Sequence, residues 1–122
     1  MFKSRKTRRI MQYLDEKPQH QPFDYLLQDY LSGALKQRLA DMGFSRIEIY
    51  VDWLEDYKCV NIGALHRCGL CLDFQAEPAC VNIALDEEEP DDAVEFEIPA
   101  DPHADSADIY YDILADQLIG KE

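Results

Sequence analysis

The chain has 122 residues, 47% of them hydrophobic, and sets 25 acidic against 12 basic side chains, for a formal net charge of -13. That length makes one domain, 1–122, large enough to hold a core without disulfide staples. The charge excludes a general nucleic-acid binder and a protein drawn to an anionic membrane surface.

No apolar run approaches the roughly 20 residues of a membrane helix. The basic start MFKSRKTRRIMQYLDE is not followed by the apolar stretch of a secretory signal. The expected setting is therefore cytoplasmic. Charge is unevenly spread: residues 1–20 hold six cations and two anions, whereas 86–122 hold fourteen carboxylates and one lysine. The basic head fits a short solvated helix over 4–16, with Ile10, Met11 and Leu14 on one side. It also fits an arm lying on the protein's own acidic surface, with a nucleic-acid arm as the sharper alternative that five clustered cations only weakly signal.

Pro18 and Pro22 break that first segment. From Pro22, the residues Phe23, Leu27, Tyr30, Leu31, Ala34, Leu35, Leu39 and Met42 recur at helical spacing. One helix over 22–42 is expected, weakened at Gly33, opened by Asp24 at its positive end and stopped at Gly43. Phe44 is expected to fold back on its last turn.

RIEIYVDW (46–53) alternates strictly, with Ile47, Ile49, Val51 and Trp53 on one face. After a turn at Glu55 and Asp56, strands are expected over 57–64, 68–74 and 79–85. Their inward sets are Val60, Ile62, Ala64; Cys68, Leu70, Leu72, Phe74; and Val81, Ile83, Leu85. DEEEPDD (86–92) is an exposed loop, since no core holds six carboxylates. Val94, Phe96 and Ile98 form a short fifth strand. A last helix over about 106–119 carries Ile109, Tyr110, Ile113, Leu114 and Leu118 inward, and ends at Gly120. The expected fold class is α+β: an antiparallel five-strand meander with N-terminal helices and a C-terminal helix on one face.

Pairing inward with inward residues sets Val51 opposite Val60, Val60 opposite Leu72, Leu72 opposite Val81, and Val81 opposite Ile98. The outward rows then read Asp52, Cys59, Asp73, Cys80 and Tyr50, Asn61, Cys71, Asn82, Glu97. A face of thiols, amides and acids fits a buried interface, with a symmetric dimer as one form. An ordinary wet sheet face is the plainer alternative. A second surface is the stripe Asp105, Asp108, Asp112, Asp116 along the last helix, with no lysine or arginine in that helix to pair them. Tolerated solvated charge explains it, and so does attraction to a basic partner.

Four cysteines, Cys59, Cys68, Cys71 and Cys80, are spaced C-x8-C-x2-C-x8-C. Zinc needs four converging ligands, and alternation scatters these sulfurs over both faces. HRCGLC (66–71) has a redox CxxC spacing, but a strand follows it where a thiol-activating helix is needed. His20, His66 and His103 fall in expected loops. No glycine-rich phosphate loop or HExxH is present. DEEEPDD lacks the ligand spacing and turn glycine of a calcium loop. No metal, cofactor or catalysis is expected.

The function expected from these features is binding to another protein, with a basic partner favoured, in a chaperone, immunity or inhibitor role. The candidate contact residues are Tyr50, Asn61, Cys71, Asp73, Asn82, Asp105, Asp108, Asp112 and Asp116. The alternative is a metal-binding or redox protein built on the four cysteines.

Overall fold

Leu27, Leu31, Leu35 and Leu39 keep an unbroken i, i+4 rhythm, yet the segment is two helices. Helix α1 spans Gln21–Ser32 and helix α2 spans Ala34–Asp41. Gly33 separates them at φ 86°, a left-handed conformation that costs glycine nothing. The Ser32 hydroxyl donates to the Asp29 carbonyl at 3.2 Å and accepts the Ala34 N–H at 3.3 Å. The expected continuous helix over 22–42 is thereby corrected. The chain turns at Gly33 while both halves keep their apolar side inward.

The structure is a computed structural model, and it describes residues 21–53, 58–87 and 93–121. The expected helix over 4–16, the basic head, His20, the turn at Glu55 and Asp56, and residues 88–92 of the acidic loop lie outside the described residues.

The sheet is antiparallel, in the order β1-β2-β3-β4-β5. Its strands are β1 (Phe44–Trp53), β2 (Lys58–His66), β3 (Cys71–Ala76), β4 (Cys80–Asp86) and β5 (Val94–Glu97). Helix α3 follows over Asp108–Lys121. It runs through Gly120 rather than stopping there, and it begins after Asp105, which precedes the helix. The α+β class, the five-strand meander and the flanking helices are as the sequence implies.

Registers differ from expectation by even numbers of residues. Val51 does face Val60. Val60, however, pairs with Ala76, Leu72 with Ala64 and Leu85, and Val81 with Phe96. Both shifts at β3 are four residues, and the shift at β5 is two. Side chains alternate with period two, so an even slip leaves every residue on its own face. On either side of β3, each turn sits further along the chain than expected. The β2–β3 turn is centred near Cys68 rather than His66, so β2 runs on to His66 and β3 starts at Cys71. The β3–β4 turn is centred between Pro78 and Ala79 rather than between Ala76 and Glu77. Cys68, expected inward on a strand, is exposed in the β2–β3 turn.

Strand β1 carries one extra residue. Ser45 faces Leu65 and Glu48 faces Gly63, so Arg46 and Ile47 together oppose Ala64. Arg46 adopts φ 50° to make this bulge. The bulge changes parity, which lets Phe44, 4% exposed, share the inner face with Ile47, Ile49 and Val51.

One apolar cluster joins the inner sheet face to the helices. Its members include Phe23, Leu26 and Leu27 from α1, Leu35 and Leu39 from α2, and Tyr110, Tyr111, Leu114 and Leu118 from α3. The sheet contributes Val51, Val60, Ile62, Leu72, Phe74, Val81 and Ile83. Ile98 is buried just after β5, where its N–H donates to the Ala79 carbonyl at 2.8 Å. Asp24, in the first turn of α1, is buried as well. No helix among the described residues is long and apolar enough to cross a membrane.

A polar strap ties the three helices at the cluster's edge. The Tyr111 hydroxyl donates to Asp29 Oδ2 at 2.7 Å. The Arg38 guanidinium lies 3.7 Å from the Tyr111 ring centroid and donates to Asp108 Oδ1 at 2.6 Å. Asp108 is held below its ordinary range by that Arg38 bond. The Tyr111 phenol is pushed well up, first by burial and then by the Asp29 carboxylate.

Two outcomes follow from this packing. Leu72→Ala removes a side chain that is 3% exposed and should cost roughly 2–5 kcal/mol in a urea titration. Tyr111→Phe deletes a bond to a carboxylate and should cost about 1–2 kcal/mol at neutral pH. The tyrosine's raised ionisation gives its linkage a definite sign. The folded protein holds the phenolic proton more tightly, so this contribution is complete below about pH 10 and declines as pH rises above it. Thermal melts across that range should show a steeper alkaline fall for the natural protein than for Tyr111→Phe.

Candidate functional site: the outward sheet face and the β2–β3 turn

The face opposite the helices is built by the strand positions that alternate with the core. Correct registers give its rows. Asp52 faces Cys59, and across the sheet Cys80 faces Glu97. Tyr50, Asn61, Gln75, Asn82 and Glu95 form a continuous row over all five strands. Glu48, Gly63, Asp73 and Ala84 form the next, and Leu65, Cys71 and Asp86 the last. Asp73 therefore leaves the row expected for it between Cys59 and Cys80. Cys71 likewise leaves the row of Asn61 and Asn82, and Glu97 stands beside Cys80.

This face is polar and strongly negative. Its strand positions carry Glu48, Asp52, Asp73, Asp86, Glu95 and Glu97, and Arg46 at the bulge is the one cation in the outward run of β1. Tyr50 is 57% exposed among them, a large aromatic in open view. Asp73, Gln75, Glu95 and Glu97 are exposed, while Asn82 and Cys71 are half-buried. Asn61 is 6% exposed and already engaged. Its amide donates to Asp52 Oδ2 at 3.0 Å, and its carbonyl accepts from the Cys59 thiol at 3.6 Å. Cys80 donates to Glu77 Oε2 at 3.2 Å. Burial pushes its thiol up to about 12, helped by Glu77 and Glu95.

The helical stripe is less uniform than its spacing implies. Asp105, Asp108, Asp112 and Asp116 are all exposed. Asp105 lies before α3, and Asp108 is paired with Arg38 of α2. Asp112 and Asp116 are left to carry the stripe.

His66 was placed in a loop by its flanking residues, but it closes β2 and is 2% exposed. Its Nε2 lies 2.9 Å from the Met42 carbonyl at the end of α2. Its Nδ1 lies 2.9 Å from Cys68 Sγ and accepts the Cys68 N–H at 3.3 Å. The ring meets Phe44 edge-on, with centroids 4.9 Å apart. Gly43, at φ 98°, makes room for it: a Cβ there would sit 2.9 Å from His66 Nε2. The one sequence signal for this arrangement is the HRC spacing, which sets a histidine and a thiol two residues apart in a turn.

Open grooves flank the helices among the described residues. One, of about 460 Å³, lies between Tyr30, Lys36, Ile47 and Glu48. A second, of about 260 Å³, lies between Pro22, Pro99, His103 and Ile109. Two polar side chains at the second, Asp101 and Ser106, serve the local backbone. Asp101 accepts the His103 N–H at 2.9 Å, and Ser106 accepts the Asp108 N–H at 3.3 Å. Among the described residues, no three His, Cys, Asp or Glu side chains converge on a point that could hold a metal ion. Compared with known proteins, the chain matches no family model, no curated protein and no solved structure.

Proposed function

We propose that this protein acts by binding a basic protein partner on the outward sheet face, in the cytoplasm and without catalysing a reaction. The observation that carries this reading is six carboxylates on one sheet face around the exposed ring of Tyr50. Arginine suits both features. Its planar guanidinium bonds carboxylates in pairs and stacks on aromatic rings, which a lysine ammonium does less well. An exposed tyrosine supplies contact area with little conformational entropy to lose, as binding hot spots do. Long-range attraction from a chain of net charge -13 would also speed encounter at low salt.

Charge favours such a partner over a homodimer through the same face. Two copies placed face to face would oppose like charges, which costs several kcal/mol unless cations intervene. A chaperone for a basic client, an immunity protein against a basic toxin and an inhibitor that presents carboxylates in place of phosphates all share this chemistry. The proposed contacts centre on Tyr50, Asp73 and Asn82, with Glu95 joined to them by register and Asn61 and Cys71 behind. The stripe at Asp105, Asp108, Asp112 and Asp116 is a second acidic surface and serves as the internal control.

An arginine-rich peptide titrated at low and high salt tests this reading. Tyr50→Ala combined with Asp73→Asn and Glu95→Gln should weaken binding by about 10-fold or more, equivalent to about 1.4 kcal/mol. Asp112→Asn with Asp116→Asn also removes charge, and should leave affinity nearly unchanged with stability equal or slightly higher. Equal losses from both sets would mean attraction by net charge alone, and would defeat the assignment to the sheet face. Sedimentation of the natural protein completes the test. A dimer that dissociates on Tyr50→Asp would replace the basic partner with a second copy.

A further inference from the structure

The four cysteines differ sharply in surroundings. Cys59 is fully buried. Cys80 is tied to Glu77, and its thiol is pushed up to about 12 by burial and neighbouring carboxylates. Cys71 is half-buried on β3, and Cys68 is exposed. Exposure alone makes no site, but Cys68 shares its turn with a buried base.

The geometry of the base is defined by what surrounds it. The turn is locked by His66 N–H donating to the Leu70 carbonyl at 2.8 Å and Gly69 N–H donating to the His66 carbonyl at 2.9 Å. Within it, His66 Nε2 faces the Met42 carbonyl, which only accepts. That carbonyl therefore assigns the ring proton to Nε2. Nδ1 is then the acceptor nitrogen, and its lone pair is shared between the Cys68 N–H at 3.3 Å and the Cys68 sulfur at 2.9 Å. A nucleophile, a base in hydrogen-bond reach and a third group orienting the base make up the arrangement that activates thiols. Here the nucleophile is at the surface, while the base and its orienting carbonyl are held inside.

We propose that Cys68 is a nucleophilic thiol activated by His66, and that its co-reactants are low-molecular-weight disulfides. The Cys68 sulfur attacks one sulfur of the disulfide as its proton passes to His66 Nδ1. A new S–S bond forms to Cys68, and the old S–S bond breaks. The departing thiolate takes up the proton from Nδ1 and leaves as a thiol. The exchange is balanced: one disulfide and one thiol give one mixed disulfide and one thiol, with no outside oxidant. The Met42 carbonyl holds the ring in place throughout. This site is independent of the acidic face and stands or falls without it.

The aromatic disulfide 5,5'-dithiobis(2-nitrobenzoate) is the probe, with the modified cysteine located by peptide mass spectrometry. In the folded protein the first thiol modified should be Cys68. It should react about 10-fold or more faster than the same thiol in the urea-denatured chain at the same pH. Denaturation increases access, so faster reaction in the folded state has a chemical cause rather than a steric one. Cys68→Ser should abolish the fast phase. His66→Gln keeps an amide donor for Met42 and removes the base, and should slow Cys68 by about 10-fold while leaving Cys71 unchanged. First modification at Cys71, or a Cys68 rate no higher folded than denatured, overturns the proposal. So does a folded His66→Gln protein that keeps the natural rate. Should that variant unfold, the folded-against-denatured comparison decides alone.

Discussion

The buried imidazole of His66 is the joint on which the layout of this molecule turns. The chain must pass from helix α2 into β1, and from β2 into β3, at the same corner. Both passages meet at this ring. Nε2 takes the last carbonyl of α2, Nδ1 takes the hairpin backbone, and Phe44 at the start of β1 packs against the ring edge. Arg67 N–H adds a direct bond to the Gly43 carbonyl at 2.9 Å. A buried imidazole whose nitrogens lost these partners would carry the full cost of desolvation, so the corner forms as a unit. Gly43 is required there twice over, by its backbone angle and by the absence of a side chain against the ring.

The faces of the sheet were legible because alternation carries one bit of information, inward or outward. It carries nothing about pairs that slip by two or four residues. Val60 opposite Leu72 and Val60 opposite Ala76 satisfy the same pattern. Only the turn chemistry separates them, and Gly69 at φ 96° marks where the turn belongs. The break at Gly33 was hidden for a related reason. The leucine rhythm runs straight through it, so periodicity reports one face where the backbone has two segments. The bulge at Arg46 left a clearer trace, since Phe44 and Ile47 cannot both be inward on a regular strand.

The candidate sites divide in the same way. Net charge and its concentration on outward positions follow directly from composition and alternation. Partners brought from distant segments do not. Asp108 is spaced like its neighbours on α3, yet Arg38 comes from 70 residues earlier to pair with it. His66 has the neighbours of a loop residue in sequence, and its burial depends on Met42 and Phe44, which lie more than twenty residues away. Tyr111 next to Tyr110 gives no sign of which hydroxyl reaches a carboxylate. Pairwise chemistry at long separation is where one-dimensional pattern runs out.

The bulge in β1 has a further effect beyond re-aiming Phe44. Strand β1 is a ten-residue edge of the sheet, and long flat edges act as templates on which foreign strands can grow into fibres. An extra residue near its start bends the ribbon and breaks the even ladder that such growth requires. Glu48 and Asp52 on the same strand add repulsion against an identical edge. The two devices differ in reach: the bend spoils the ladder for any incoming strand, whereas the charges act only against an acidic one, such as the same edge of a second copy.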